Sequence, residues 1–384
     1  MKKIMFVTDE SVITGTAKTG MSDMVDGLAI SMADKYDISV VAPNGNGIIL
    51  KANEENISEI CDGIKIVKFL KVTYYLVDIE SFNDSVVKCY EIIKPHIFHN
   101  FSDITLLSLL PEKPEKSVLT IDYKGFIVGK LDELKNYNKI TTTSVSYANQ
   151  LLEDADIGDY LKFVDFIGIT NGISEELFSP ENGFLLSNKY DINNLFIKDN
   201  HKLANLKKFG IISQPAFAYF GRLSEEKGID NILSSIPIIL ELGGKVIIMG
   251  KGDNLYETRL EELAKDSNDI IWFKNSPSAM QMIPLMASMD FYLSPSIEEA
   301  CGLMPMIASK YGVIPIVTKV GGLQDNFNET NSIICTPENL INTIECAINL
   351  YNNKESFNEL RKICMSRDFD WNTRNIGYIK IYES

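Results

Sequence analysis

The chain has 384 residues, 45% of them hydrophobic and 23% charged, with a formal net charge of −15. That is a globular composition, long enough for two cores at ~100–200 residues per domain. Its acidity, with no Lys/Arg-rich run, argues against nucleic acid or an anionic membrane surface as a partner. An anionic ligand would need a local cationic pocket, so Arg and Lys in glycine-rich surroundings carry information.

Short β-branched runs alternate with helical patterns, the mark of parallel α/β sheets. The first half reads as strands at 3–8, 38–42, 65–69, 96–100, 118–122, 140–143 and 166–170, with helices over 22–34, 81–93 and 146–152. A polar, weakly periodic stretch over 179–214 reads as the interdomain connection. Strands resume at 216–220, 245–249, 270–273, 291–293, 314–318 and 332–335. Helices are expected between them, over 228–242, 255–265, 279–288 and 303–310, and then over 337–351 and 355–365. No apolar run reaches the ~18 residues of a membrane span. The start, Met1-Lys2-Lys3, is followed by too short an apolar run for a signal peptide. The six cysteines are scattered with no CxxC pair and read as reduced cytoplasmic thiols. With three His in the chain, a zinc site or a His-based triad is not expected.

In sheets of this kind ligands bind beyond the carboxyl ends of the strands, so the residues that follow each strand matter most. Gly221-Arg222-Leu223-Ser224-Glu225-Glu226-Lys227-Gly228 joins a strand to a helix. Arg222 offers a forked donor and Lys227 a point charge, a pairing suited to a diphosphate. The alternative is a solvated loop whose charges pair with Glu225 and Glu226. Ser294 to Leu303 likewise ends a strand and opens a helix. There the backbone N–H groups of Cys301, Gly302 and Leu303 would face an anion. Glu298 and Glu299 would then meet sugar hydroxyls or a developing oxocarbenium ion, or serve as ordinary N-terminal helix carboxylates. Gly321-Gly322-Leu323 allows close backbone approach to a phosphate, although most Gly-Gly turns are only turns. Lys18-Thr19-Gly20 sits in a loop after the first strand and fits neither the dinucleotide fingerprint nor the P-loop. The residues alone therefore describe two α/β domains with anion-friendly turns, and leave the reaction open.

These segments, in this order, resemble the retaining GT-B glycosyltransferases, in particular bacterial glycogen synthases and plant starch synthases. Such enzymes carry KTGG, NGID-like, GRL-x3-KG, EPCGL and TGGL segments. Here they read Lys18-Thr19-Gly20, Asn171-Gly172-Ile173, the 221–228 turn, Glu299-Ala300-Cys301-Gly302-Leu303 and Gly321-Gly322-Leu323. Met306 to Pro315 and the tail Asp368-Phe369-Asp370-Trp371 are also similar. The resemblance implies a GT-B fold of two Rossmann-like domains facing a cleft. Residues 1–198 with a returning helix, 370–384, would form the acceptor domain, and 199–369 the nucleotide-sugar donor domain. It also implies roles. Arg222 and Lys227 would hold the diphosphate, and Glu299 would face the donor sugar. Gly221, Cys301–Leu303 and Gly321–Leu323 would complete the cradle, with Lys18 and Gly20 approaching from the other domain. The implied reaction is metal-free, cofactor-free retaining transfer of a hexose, glucose from ADP-glucose, to a glycan acceptor in the cytoplasm.

The chain departs from that pattern mainly in its first half. Asp122 stands where the family has His, and Ser102 where it has an Asp, with Asp103 one residue away. One glycine of KTGG is absent before Met21, and Pro277 aligns with the aromatic that would stack on the base. Asp122 would alter the field at the reacting carbon. Other readings therefore stand beside the synthase: a relative with another donor and acceptor, a non-catalytic nucleotide-sugar or glycan-binding subunit, and, ranked lower, a GT-B epimerase. A pyridoxal-dependent phosphorylase ranks last, for lack of length and of a matching lysine motif.

Overall fold

A computed structural model describes all residues except 18–19, 46–56, 62, 184, 210–212, 266 and 276–278. By its internal packing the chain divides into two units, Met1–Ser174 with Phe369–Ser384, and Glu175–Asp368.

The first unit holds, among the described residues, a nine-stranded sheet. Its strands are β1 (Lys3–Val7), β2 (Asp37–Pro43), β3 (Ser58–Cys61), β4 (Ile64–Phe69), β5 (Val72–Val77), β6 (Ile97–Asn100), β7 (Lys116–Ile121), β8 (Lys139–Thr142) and β9 (Phe166–Gly168). They lie in the order β3-β4-β5-β2-β1-β6-β7-β8-β9. β1 pairs in parallel with both β2 and β6 and is buried from Ile4 to Val7, as a strand covered on both faces must be. Of the hairpin β4–β5 the sequence reading has β4, as the strand 65–69, but neither the turn nor β5. The two-residue turn is Leu70-Lys71, both at positive φ (44° and 69°). Positive φ at both central positions is the geometry that Gly and Asn usually announce, and neither is present.

The C-terminal segment packs into this unit. Trp371 and Tyr378 are fully buried and Tyr382 nearly so. His99, fully buried on β6, contacts the Tyr382 hydroxyl through Nδ1 at 2.5 Å and the Thr120 hydroxyl through Nε2 at 2.7 Å. Desolvation holds its pKa well below the usual histidine range, so it is a neutral structural tie between sheet and tail. Asn171-Gly172-Ile173 meets the tail directly. Ile173 N donates to Phe369 O at 2.8 Å and Trp371 N to Ile173 O at 3.1 Å. A Cβ on Gly172 would lie 2.8 Å from Phe369 O. Two segments that look like separate motifs in the sequence are thus one contact.

The second unit has a six-stranded parallel sheet of β10 (Ala216–Phe220), β11 (Lys245–Met249), β12 (Ile270–Phe273), β13 (Phe291–Ser294), β14 (Ile314–Thr318) and β15 (Ile333–Cys335). The order is β12-β11-β10-β13-β14-β15, the doubly wound arrangement in which the chain reverses direction between its first and fourth strands. β10 and β14 are buried along their whole length. Helices Ile229–Glu241 and Leu340–Asn352 supply Ile232, Ile236, Ile344 and Ala347 to the core.

The division between units falls after Ser174, not after residue 198 as expected from the sequence. Residues 175–198 belong with the second unit because their few large side chains are committed there. Tyr190 is buried and its hydroxyl donates to Tyr311 O at 2.9 Å. Glu175 pairs with Lys310 at 2.5 Å. The buried Lys198 amine donates to the carbonyls of Ala287 (3.0 Å) and Met289 (2.8 Å). A helix, Phe196–Leu206, also occupies the stretch read as connection. Its buried set includes Lys198, His201 and Lys202, so a hydrophobic pattern was not there to find. Among the described residues no helix is long and apolar enough to cross a membrane, and all six cysteines are unbridged thiols.

Candidate active site

In the second unit the turns after β10, β13 and β14 interlock at the carboxyl edge of the sheet, and glycines permit it. Gly228 has φ +69°, and a Cβ there would lie 2.0 Å from Pro295 O. Glu226 O accepts from Ile297 N (2.9 Å) and Glu298 N (3.1 Å), which joins the first turn to the second. Gly321 has φ +43°, with its Cβ position 1.9 Å from Glu299 O. The same carbonyl accepts from Gly322 N at 2.9 Å, which joins the third turn to the second. Gly302, at φ +84°, leads into the helix Leu303–Lys310, whose start has no side-chain cap. Side chains at Gly228 or Gly321 would force the turns apart, since each would meet a backbone carbonyl of the second turn.

The charged residues divide into two pairs. Lys227 Nζ meets Glu299 Oε2 at 2.9 Å, with side chains 25% and 15% exposed. Ser296 Oγ donates to the same oxygen at 3.3 Å. Arg222 meets Glu226 at 2.6 Å and is 64% exposed. The solvated-loop alternative therefore describes Arg222 but not Lys227, which reaches across to the other turn. An exposed pair such as Arg222–Glu226 is worth at most ~1 kcal/mol, so a phosphate can displace Glu226 at little cost. Lys227 and Glu299 are partly desolvated, where their attraction is stronger. Cys301 is buried, and its carbonyl accepts from Asn326 Nδ2 at 3.4 Å.

A further turn, Gly250-Lys251-Gly252, belongs to this edge and was missed by sequence reasoning. Beyond β10 and β11 the two chains continue side by side. Gly221 N donates to Met249 O (3.0 Å), Leu223 N to Lys251 O (3.1 Å) and Asp253 N to Leu223 O (2.8 Å). A Cβ on Gly250 would lie 1.9 Å from Gly221 O, and one on Gly252 would lie 2.0 Å from Leu223 O. The G-x-G directly after the strand 245–249 was the available signal.

In the first unit, Lys18 lies outside the described residues, as does Pro277 in the second. Gly20 is exposed at the start of the helix Gly20–Met32. Ser102 and Asp122 come together. Both line a small cavity at the ends of β6 and β7, with Met21, Phe101, Ile104 and Ile127 among its walls. Asp103 does not line it. Its carboxylate accepts from Thr105 N at 2.9 Å and pairs with Lys130 at 3.0 Å. Against the raising effect of desolvation, these bonds leave its pKa lowered.

Beside the first loop is a set of carboxyls that no sequence motif announces. Asp26 is fully buried and accepts from Ser11 Oγ (2.9 Å) and Ile13 N (3.1 Å). Burial outweighs those bonds and pushes its pKa up to about 7. Desolvation, with the charges of Asp26 and Glu10, pushes Asp23 up to about 8. A carboxyl whose pKa rises on folding binds its proton more tightly in the native state. Its stabilisation is complete below the unfolded value of ~4 and is lost as pH rises through the folded value. The melting temperature is therefore expected to fall between pH 5 and pH 8, and to fall less in Asp26→Asn. Equal slopes for wild type and variant in scanning calorimetry would show Asp26 to be ionised throughout.

Residues 214–353 match the family model for group 1 glycosyl transferases. The chain is also similar to glycogen synthases. It is 31% identical over 280 residues to the glycogen synthase of Marinomonas sp. strain MWYL1, an alignment covering 69% of this chain and 59% of that protein. The chain spans somewhat over half the length of the curated relatives it matches. Its fold is that of the catalytic domain of Arabidopsis thaliana starch synthase IV bound to ADP and acarbose. The TM-score is 0.86 at 19% identity, over 100% of this chain and 98% of that one. Anabaena HepE in complex with UDP and glucose is also similar, with TM-score 0.67 and 14% identity over the full length of both chains. This is the GT-B architecture of two parallel-sheet Rossmann-like domains. The interlocked turns, with Arg222, Lys227 and Glu299, all fall inside the matched residues 214–353.

Proposed function

We propose that the chain is a retaining glycosyltransferase of the glycogen-synthase type, moving a glucosyl group from ADP-glucose to a glucan chain without a metal ion. The observation that carries this reading is the Lys227–Glu299 pair, 2.9 Å apart on glycine-locked turns. It puts a cation for a leaving diphosphate beside a carboxylate for a sugar. In the reaction the bond from sugar C1 to the phosphate oxygen breaks, and its electron pair leaves with the diphosphate. The acceptor hydroxyl oxygen bonds to C1 on the same face and gives up its proton to the departing phosphate oxygen. Lys227 and Arg222 stabilise the charge growing on the diphosphate. The helix start at Cys301–Leu303 adds a fixed dipole, while the glycines at 321 and 322 let the backbone approach closely, their turn being closed by Gly322 N to Glu299 O and Leu323 N to Val320 O. Glu299 holds sugar hydroxyls and the positive charge developing at C1. Fixed positive groups of this kind act without reorganising as the charge appears, which is why they favour the transition state over the bound donor.

One observation favours a second reading, a relative with a different donor sugar. Ser102 and Asp122, the two polar departures from the family pattern, share a single cavity wall. The test is a screen of the purified protein against ADP-glucose, UDP-glucose, and HexNAc and mannose nucleotides, with and without glycogen or maltooligosaccharide, reading released nucleoside diphosphate. Turnover of ADP-glucose only with glucan supports the first reading. Turnover of another donor supports the second. Binding of a donor with no turnover of any would overturn both in favour of a non-catalytic subunit.

A further inference from the structure

The turn after β11 bears a cation whose position goes beyond the donor reading while resting on it. The ladder pairs Phe220 with Met249, and its continuation bridges Leu223 and Gly252. That register sets Arg222 opposite Lys251. Directly opposite residues of a ladder project to the same face, with Cβ atoms ~5 Å apart. Arg222 and Lys251 therefore stand side by side at the edge where the diphosphate is proposed to bind.

The turn is held in place from below. Trp272 Nε1 donates to Gly250 O at 3.0 Å, and Gly252 N donates to Glu257 Oε1 at 3.0 Å. Glu257 pairs with Lys274 at 2.9 Å, and Lys274 lies 5.2 Å over the Trp272 ring. From above, the carbonyls of Gly221 and Leu223 press on Gly250 and Gly252. Lys251 is exposed and has no ion-pair partner among the described residues, whereas Arg222 is paired with Glu226. The charge of Lys251 is felt at Glu257, whose carboxylate is already bonded to Gly252 N and Lys274, so an incoming anion at this edge would meet Lys251 and Arg222 together.

We propose that Lys251 is a donor-binding residue that contacts the anionic ribose-diphosphate portion of the nucleotide sugar next to Arg222. A flexible, strongly hydrated ammonium in this position adds charge rather than fixed geometry. Its effect belongs to binding, in the ground state and the transition state alike, and so to KM rather than kcat.

The experiment is calorimetric binding of ADP and of UDP to wild type, Lys251→Met, Lys251→Glu and Arg222→Ala at low and high salt. Thermal melts confirm that each variant folds. Lys251→Met is expected to weaken the bound nucleotide ~5–10-fold and Lys251→Glu more, with a smaller salt dependence than wild type. If wild type binds and both Lys251 variants match it while Arg222→Ala is weakened, the assignment of Lys251 is wrong and the donor reading survives. If wild type binds neither nucleotide, the donor reading fails and this assignment falls with it.

Discussion

Lys227→Ala is expected to lower turnover of the donor by ~10²-fold or more, the effect of removing a fixed charge from a leaving group in the transition state. Arg222→Ala is expected to cost a similar order and less than Lys227→Ala. The structure supplies the ranking. Lys227 is 25% exposed and bridges two turns to Glu299, whereas Arg222 is 64% exposed and bound to a neighbour four residues away. A charge in a partly desolvated position interacts more strongly than one surrounded by water. Removing Lys227 also leaves the Glu299 carboxylate, 15% exposed, with Ser296 as its neutral partner. That unpaired charge would work against the incoming diphosphate. Lys227→Ala combined with Glu299→Gln should therefore recover nucleotide binding, but not rate, relative to Lys227→Ala alone. Single-turnover kinetics with calorimetry separates the two quantities. A wild-type rate for Lys227→Ala would remove the donor assignment altogether.

Gly321→Ala is expected to destabilise the second unit by ~3–5 kcal/mol and to abolish nucleotide binding in whatever fraction remains folded. The left-handed backbone at φ +43° costs an L-residue ~1–2 kcal/mol. Steric crowding adds more. The added methyl would lie 1.9 Å from Glu299 O, and a backbone carbonyl cannot swing aside as a flexible side chain can. Relief requires the turns to separate, which breaks the bond from Gly322 N to the same carbonyl and strands a polar group. Gly243 provides the control. It has φ +80° with nothing within 4 Å of its Cβ position, so Gly243→Ala should cost only the ~1–2 kcal/mol of the left-handed backbone. Equal unfolding free energies for the two variants in denaturant titrations would show that the 1.9 Å approach is absorbed without cost.

The two variants also mark where sequence reasoning succeeded and where it stopped. The turns after β10, β13 and β14 were legible as turns because each combines a strand end, glycines and a cation or helix start, and such signals are local. The six strands in the second unit were located to within a residue at each end, for the same reason: continuous apolar runs between punctuating residues. The turn at Leu70-Lys71 and the strand that returns from it were missed, though the strand before it was read, because the turn uses no glycine or asparagine. The helix Phe196–Leu206 was hidden because, apart from Leu206, its buried side chains are Lys and His, satisfied by distant carbonyls and a carboxylate.

From the sequence came the α/β class, the alternation of elements and the places where glycine-containing turns follow the strands, because periodicity and turn chemistry are properties of neighbouring residues. The tertiary structure alone decided which charges meet. Lys227 is one residue from Glu226 and 72 from Glu299, yet its ammonium pairs with the distant carboxylate. It also decided that Lys251 stands opposite Arg222, that Asn171-Gly172-Ile173 serves the C-terminal tail, and that Ser102 and Asp122 share a wall. Each of these depends on strand register and on how closely two backbones approach, and those are set by packing between segments far apart in the chain.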